Sequence, residues 1–292
     1  MALTSAEIAD SPLILPLIQQ QSSTMQQAFH ANPRLSSVFA TQQRWLLAHA
    51  AVALSFREGP PGMPSLTLSR FLDEVTTHQI ASRNTADAFL KEMLHYGYAI
   101  STTNPSDRRS RPIVVSPEAL QTLRGWAIAH LVTLDRLDGG TRLAAFMASE
   151  DAFARLQTGI AEGLLTNAAI RQPQRTFSLF TWLNNGGVIM DWLITNLGEV
   201  SPDGSRYATS ISSIAEISGW IKLSRTHLAR KLREAGAMGS MGWTDRQGTM
   251  WVSAGFVCEM IEAQAVKLAV IDAACERFLT PSPDGPPGNR MS

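Results

Sequence analysis

Charge is scarce in this chain. Only 17% of its 292 residues are charged, and 25 basic residues meet 25 acidic ones, so the formal net charge is zero. No global field draws such a chain to a polyanion or an anionic membrane, and any nucleic-acid binding must come from local clusters. Cysteine is equally scarce. Cys258 and Cys275 are the full complement and fall in one expected helix, too far apart along it to bond at 1.5 Å of rise per residue. A disulfide framework is excluded, and both are expected as buried free thiols in a reducing compartment. Long hydrophobic runs are missing as well. No stretch of about 18 apolar residues exists to form a membrane span. Pro12 and Pro16 interrupt the only segment near the start that would resemble a secretory leader. The expected location is the cytoplasm.

Catalytic signatures are also lacking. The six histidines, at 30, 49, 78, 95, 130 and 227, show no metal-ligand spacing with Cys or a carboxylate. There is no phosphate-binding glycine loop and no Gly-x-Ser-x-Gly elbow. Glu150 and Asp151 sit at a helix start, where carboxylates complement the dipole. The expectation is a protein that is not an enzyme, with no catalytic residues, no metal and no cofactor. The seven tryptophans are expected mainly in the core, with Trp243 and Trp251 as a cross-strand pair.

What is present is an ordinary apolar share, 45%, in a length sufficient for roughly two domains. Residues 1–12 read as a loose arm and 13–40 as short helices. Helical spacing of Trp45, Leu46, His49, Val52 and Phe56 marks a helix over 42–57. A short helix follows from Ser65 to Val75. A third helix, about 82–96, turns Ala86, Phe89, Leu90, Met93 and Leu94 inward and ends at Gly97. Next comes a hairpin whose loop holds Asp107-Arg108-Arg109-Ser110-Arg111. Ser116 and Pro117 then open a long helix as N-cap and first residue, closed by Gly139-Gly140.

That order of parts, helix, turn, helix and cationic hairpin, is suited to duplex DNA. Ser82, Arg83, Asn84 and Thr85 open a helix that fits the major groove, where Asn and Arg read adenine and guanine edges. Arg108, Arg109 and Arg111 would reach phosphates or a minor groove, with Asp107 orienting one of them.

The second half repeats the plan. A helix over 177–197 with Gly186-Gly187 as a kink leads to a loop at Ser201-Pro202-Asp203-Gly204. A short helix at 210–218 precedes a second reading helix at 225–235, stopped by Gly236. A second hairpin pairs 241–244 with 249–252, its turn ending on Gly248. Lys222, Ser224, Arg225, Thr226, His227, Arg230 and Arg246 are its candidate DNA contacts. Six basic residues against two acidic ones between 222 and 246 give a local charge of +4. The last helix, 255–279, is apolar on most sides and needs burial on more than one face.

On Ser82-Arg83-Asn84-Thr85, on Leu90 through Gly97 and on Asp107 through Arg111, the stretch 41–137 resembles the winged helix-turn-helix domain of MarR-type bacterial transcription regulators. The resemblance implies a homodimer on a pseudo-palindromic operator, often released by a small aromatic ligand. Val115-Ser116-Pro117-Glu118 departs from the family's usual Leu-Thr at that point, and the chain is about twice the family's usual length. The second unit looks like a generic bacterial winged helix. The expected fold class is therefore mainly α with small β-hairpin wings: two winged helix-turn-helix domains joined and flanked by helices. Expected boundaries are 1–40 for the arm and helices, 41–138 for the first domain, 139–176 for a helical linker, 177–279 for the second domain and 280–292 for a disordered tail. The N- and C-terminal helices are the expected dimer surface. The expected function is sequence-specific duplex-DNA binding in transcription regulation. Alternatives are a plasmid or phage replication initiator with two winged helices and a protein-interaction scaffold built on them.

Overall fold

A computed structural model describes residues 1–39, 41–57, 65–102, 111–221, 224–244 and 248–279. It is mostly helical, with one antiparallel sheet of two strands and one of four. Arg108, Arg109, Lys222, Arg246 and the tail expected at 280–292 lie outside the described residues.

The N-terminal segment is ordered rather than a loose arm. Thr4 and Glu7 form a capping box that starts α1 (Ser5–Ala9), and Ile8 is fully buried. α2 (Ile14–Ala31) is one long helix instead of several short ones. Pro16 lies in its first turn, where the missing N–H has no helical partner to lose. α3 (Pro33–Val38) and α4 (Gln42–Phe56) follow.

α5 (Leu68–Thr77) and α6 (Arg83–His95) pack with Phe71 and Phe89 ring to ring, their centroids 6.3 Å apart. β1 (Ala99–Ser101) and β2 (Ile113–Val115) pair with Ala99 opposite Val115. The Ile113 N–H donates to the Leu66 carbonyl at 2.9 Å, which ties the segment before α5 to the edge of this two-stranded sheet. α7 (Pro117–Asp138) starts on its Ser116 cap and ends on Gly139, whose φ of 76° suits glycine. α8 (Arg142–Met147), α9 (Ala152–Thr166) and α10 (Ala168–Arg171) complete the first half.

The helix expected over 177–197 is two helices, α11 (Arg175–Thr181) and α12 (Gly186–Thr195). A Cβ on Gly186 would lie 1.6 Å from the Phe180 carbonyl oxygen, so the chain folds back on itself there. Asn185, at φ 58°, makes the turn. The loop expected at 201–204 is the turn of an unforeseen hairpin, β3 (Leu197–Val200) and β4 (Arg206–Thr209). Asp203 fastens that turn by accepting from the Ser205 N–H at 3.0 Å, and Gly204 takes φ 72°.

α13 (Ile214–Ile221) and α14 (Arg225–Ala237) precede β5 (Met241–Trp243) and β6 (Met250–Ser253). α14 runs through Gly236, and the chain reverses at Gly239, φ 73°. The second sheet has the order β3-β4-β6-β5. Trp243 faces Met250, and Gly242 faces Trp251, so the two tryptophans are not opposite one another. Trp251 lies across Gly242 and stacks under Arg206, whose guanidinium carbon is 4.0 Å from the ring centroid.

α15 (Ala254–Phe278) answers its own apolarity inside the chain. It packs against α9, α1, α11, α10, α7 and α2, and buries Phe256, Met260, Leu268 and Ile271. The terminal helices expected to form a dimer surface thus pack on each other within one chain. One apolar core runs continuously through both halves. Cys275 is buried, which pushes its thiol up to about 12, whereas Cys258 is exposed, contrary to expectation.

Candidate nucleic-acid interface

Local chemistry sets the start of α6. The Ser82 hydroxyl accepts from the Thr85 N–H at 3.2 Å and lies 2.9 Å from the Thr85 hydroxyl. Both side chains are therefore engaged in the cap, although both residues are exposed. Arg83 reaches back to Asp73 at 3.0 Å, an exposed pair of little energetic weight. Asn84 is exposed, and no described side chain bonds to it. Of the four expected readers on this helix, Asn84 is the one left open, and Arg83 is only loosely held.

Behind that turn, the acidic residues are occupied. Glu92 takes Arg44 of α4 in a two-pronged pair at 2.8 and 3.0 Å. Asp87 holds Lys91 at 2.7 Å. Neither carboxylate is left to repel a phosphate at the helix start. Arg111 is exposed just before β2.

The second unit differs at the cap. Ser224 precedes α14 without a side-chain capping bond, so its hydroxyl is free among the described residues. Arg225, Thr226 and His227 are exposed, while Leu228 and Leu232 turn inward. Part of the local positive charge is matched within the helix. Glu234 takes Lys231 at 2.7 Å and stands 3.8 Å from Arg230, and these cations hold its carboxyl below the usual range.

Three expected contacts, Ser224, His227 and Arg230, come together around one cavity of about 490 Å³. Lys231 also lines it from α14, and Trp182, Leu183 and Asn184 line it from the turn between α11 and α12. Those last three residues were not foreseen. Their signal was the run Asn184-Asn185-Gly186-Gly187, which is turn chemistry inside an apparently continuous helix. Trp182 is 56% exposed, against the expectation that the tryptophans are mainly core.

A second polar cluster lies deep between α2, α4, α7, α9, α12 and α15. His49 and His130 are fully buried beside Trp126, with ring centroids at 4.9 and 4.1 Å from the indole. Gln157 donates to His49 Nδ1 at 2.9 Å, which places the proton of the neutral ring on Nε2. Burial, reinforced by the Lys267 charge, pushes His49 down to about 3 and His130 well below its usual value. Burial raises Asp191 to about 6, partly offset by a hydrogen bond from Ser22 at 2.8 Å. Burial lowers Lys267 to about 8, opposed by Asp191. This cluster joins helices of both halves.

No group of three or more His, Cys, Asp or Glu is arranged to hold a metal among the described residues. No described helix is long and apolar enough to cross a membrane. Comparison of the chain with protein-family models, curated proteins and solved structures finds no match.

Proposed function

We propose that this protein is a sequence-specific duplex-DNA-binding transcription regulator that carries two winged helices in one chain. The observation behind this reading is a repeat of parts. α5, α6 and the β1–β2 hairpin recur in the same order as α13, α14 and the β5–β6 hairpin. Each second helix is 13 residues long, buries one apolar row and opens on an exposed polar first turn. Asn84 and Arg83 on α6, and Arg225 and Thr226 on α14, are the residues assigned to base edges. Arg111 is assigned to a phosphate or minor-groove contact in the first wing. The resemblance of 41–137 to MarR-type regulators supports the same assignment for the first unit.

The packing of α1 on α15 supports a further element of the reading. One chain supplies both reading heads, so two half-sites do not demand a second copy. Zero net charge leaves the local clusters to supply affinity.

The test is selection of binding sites from randomised duplexes, followed by affinity measurements at several salt concentrations. The expected result is a defined motif whose affinity falls steeply as salt rises. Arg225→Gln and Asn84→Ala should each alter preference at one position in different halves of the motif. Absence of any enriched motif, or binding indifferent to salt, overturns the reading.

A further inference from the structure

We infer that the cavity between the Trp182–Asn184 turn and α14 takes a single unpaired nucleotide, its base against the Trp182 indole and its phosphate against Arg230 and His227. This inference concerns the flank of α14 rather than the first-turn residues assigned to base edges. It shares Ser224, His227 and Arg230 with the duplex contacts expected from the sequence, but it uses neither Arg225 nor Thr226, so the two readings can fail separately.

Size is the first argument. The cavity, about 490 Å³, falls in the range of small-molecule sites. Its chemistry is divided. The turn ahead of α12 contributes aromatic and apolar lining, Trp182 and Leu183, together with Asn184. α14 and its cap contribute the polar lining, Arg230, Lys231, His227 and Ser224. An exposed indole and a group of cations lining one cavity is the combination that stacks a base and holds its phosphate, without requiring one base identity. Among the described residues that line the cavity there is no carboxylate. The nearest acid on the helix, Glu234, is bonded to Lys231 at 2.7 Å but stands 3.8 Å from the Arg230 Nε. Arg230 is exposed and keeps donors for an incoming anion.

Rigidity is the second argument. Leu183 is buried, Asn185 is held at φ 58° and Gly186 packs on the Phe180 carbonyl. These three neighbours fix the turn that presents Trp182. An indole 56% exposed on so constrained a turn is an available platform, and stacking on it needs no rearrangement of the backbone. The buried Asn185 Oδ1 has no hydrogen-bond partner among the described residues, which places an unfilled acceptor next to the turn.

The nucleotide has two chemical sources, a free mononucleotide or an unpaired nucleotide within a DNA strand. One experiment separates them. The full chain is titrated with AMP, with adenosine and with inorganic phosphate, and in parallel with a perfect duplex and the same duplex carrying one unpaired adenine. Variants are Trp182→Ala, Trp182→Phe and Arg230→Gln, with circular dichroism and melting temperature to establish that each folds. Binding of AMP, weakened about tenfold by loss of one stacked base in Trp182→Ala and restored in Trp182→Phe, identifies the free nucleotide. Preference for the bulged duplex, lost in Trp182→Ala and restored in Trp182→Phe, identifies the strand. Arg230→Gln should weaken AMP but not adenosine. If Trp182→Ala binds every probe as the parent does, or neither AMP nor the bulge is preferred, the inference is overturned. A parent that binds AMP but no duplex would leave this site standing and remove the duplex-DNA reading.

Discussion

Gln157 on α9 donates to Nδ1 of His49 on α4 across 2.9 Å, with both side chains fully buried and 108 residues apart in the chain. The bond needs a neutral imidazole with its proton on Nε2. Burial enforces that state by holding His49 at about 3, against 6.5 for an ordinary histidine.

Acid should therefore destabilise the fold. Between about 3 and 6.5 the unfolded chain binds a proton at His49 that the folded chain refuses, so stability is lost as pH falls below 6.5. His130 is depressed for the same reason and adds to the slope. Asp191 acts in the opposite sense between 3.8 and 6, because its folded-state value is raised. Each fully displaced group contributes roughly 1.4 kcal/mol per pH unit. With two histidines against one carboxyl, stability should fall on balance from pH 6.5 to 5. Urea unfolding across that range measures it. His49→Gln retains an acceptor for the Gln157 amide but cannot titrate, so its profile should be flatter. An unchanged profile would assign the acid sensitivity elsewhere.

Ser82 and Asn84 stand two residues apart and should respond differently to substitution. The Ser82 hydroxyl is engaged with the Thr85 N–H, so Ser82→Ala should cost about 1 kcal/mol of stability and leave base preference intact. Asn84 has no described side-chain partner, so Asn84→Ala should leave stability within about 0.5 kcal/mol and change preference at one base position. Thermal melts and selected-site sequencing separate the two. A change of base preference in Ser82→Ala would assign that hydroxyl to the DNA instead of the cap.

The features legible in the sequence are those set locally. Ser82, Ser116 and Gly139 marked helix ends because capping involves only three or four neighbouring residues. The inward row Ala86, Phe89, Leu90 and Met93 followed from helical spacing and is buried. The missed features depend on distant partners or close backbone approach. β3 carries Leu197-Gly198-Glu199-Val200, which has little alternation, and its partner β4 pairs on its other edge with β6, more than 40 residues on. Apolar spacing continues past the turn, so the sequence pattern places Trp182 inside one continuous helix. What breaks the helix there is contact between Gly186 and the Phe180 carbonyl. The loop expected as the first wing tip lies outside the described residues, so the sequence alone is the basis for the proposed roles of Arg108 and Arg109.

That contact makes adjacent glycines unequal. A Cβ at Gly186 would meet backbone at 1.6 Å, whereas a Cβ at Gly187 meets nothing within 4 Å. Gly186→Ala should cost well over the 1–3 kcal/mol of ordinary overpacking, because a carbonyl cannot rotate aside as a side chain does. Gly187→Ala lies within α12 and should be neutral or stabilising by up to about 1 kcal/mol. Paired denaturation curves provide the check. Equal stability of the two variants would mean that the α11–α12 turn is not built on this approach. Because the same turn presents Trp182, Gly186→Ala should also disturb any ligand held in the adjoining cavity, and Gly187→Ala should not.

Asp272 joins three elements from a nearly sealed position, 2% exposed on α15. One carboxylate oxygen accepts from the Leu3 N–H at 2.8 Å, just ahead of α1. The other pairs with the Arg142 Nε at the start of α8. Arg142 spreads its remaining donors to Asp138, at 2.7 and 2.8 Å, and to Asp135 at 3.4 Å. These partners hold the guanidinium far above its usual range. Removing Asp272 leaves Arg142 with two of its three acids but frees the Leu3 N–H and the buried end of the guanidinium. Asp272→Ala should cost roughly 3–5 kcal/mol, the loss seen when one member of a buried pair is deleted. Asp272→Asn keeps an acceptor for one of the two donors and should cost less. Both variants should expose the first residues to protease before the rest of the chain. A loss under about 1 kcal/mol in Asp272→Ala, with an unaltered cleavage pattern, would show that apolar contact around Ile8 and the exposed pair of the Met1 ammonium with Glu276 suffice to hold the N-terminal segment to α15.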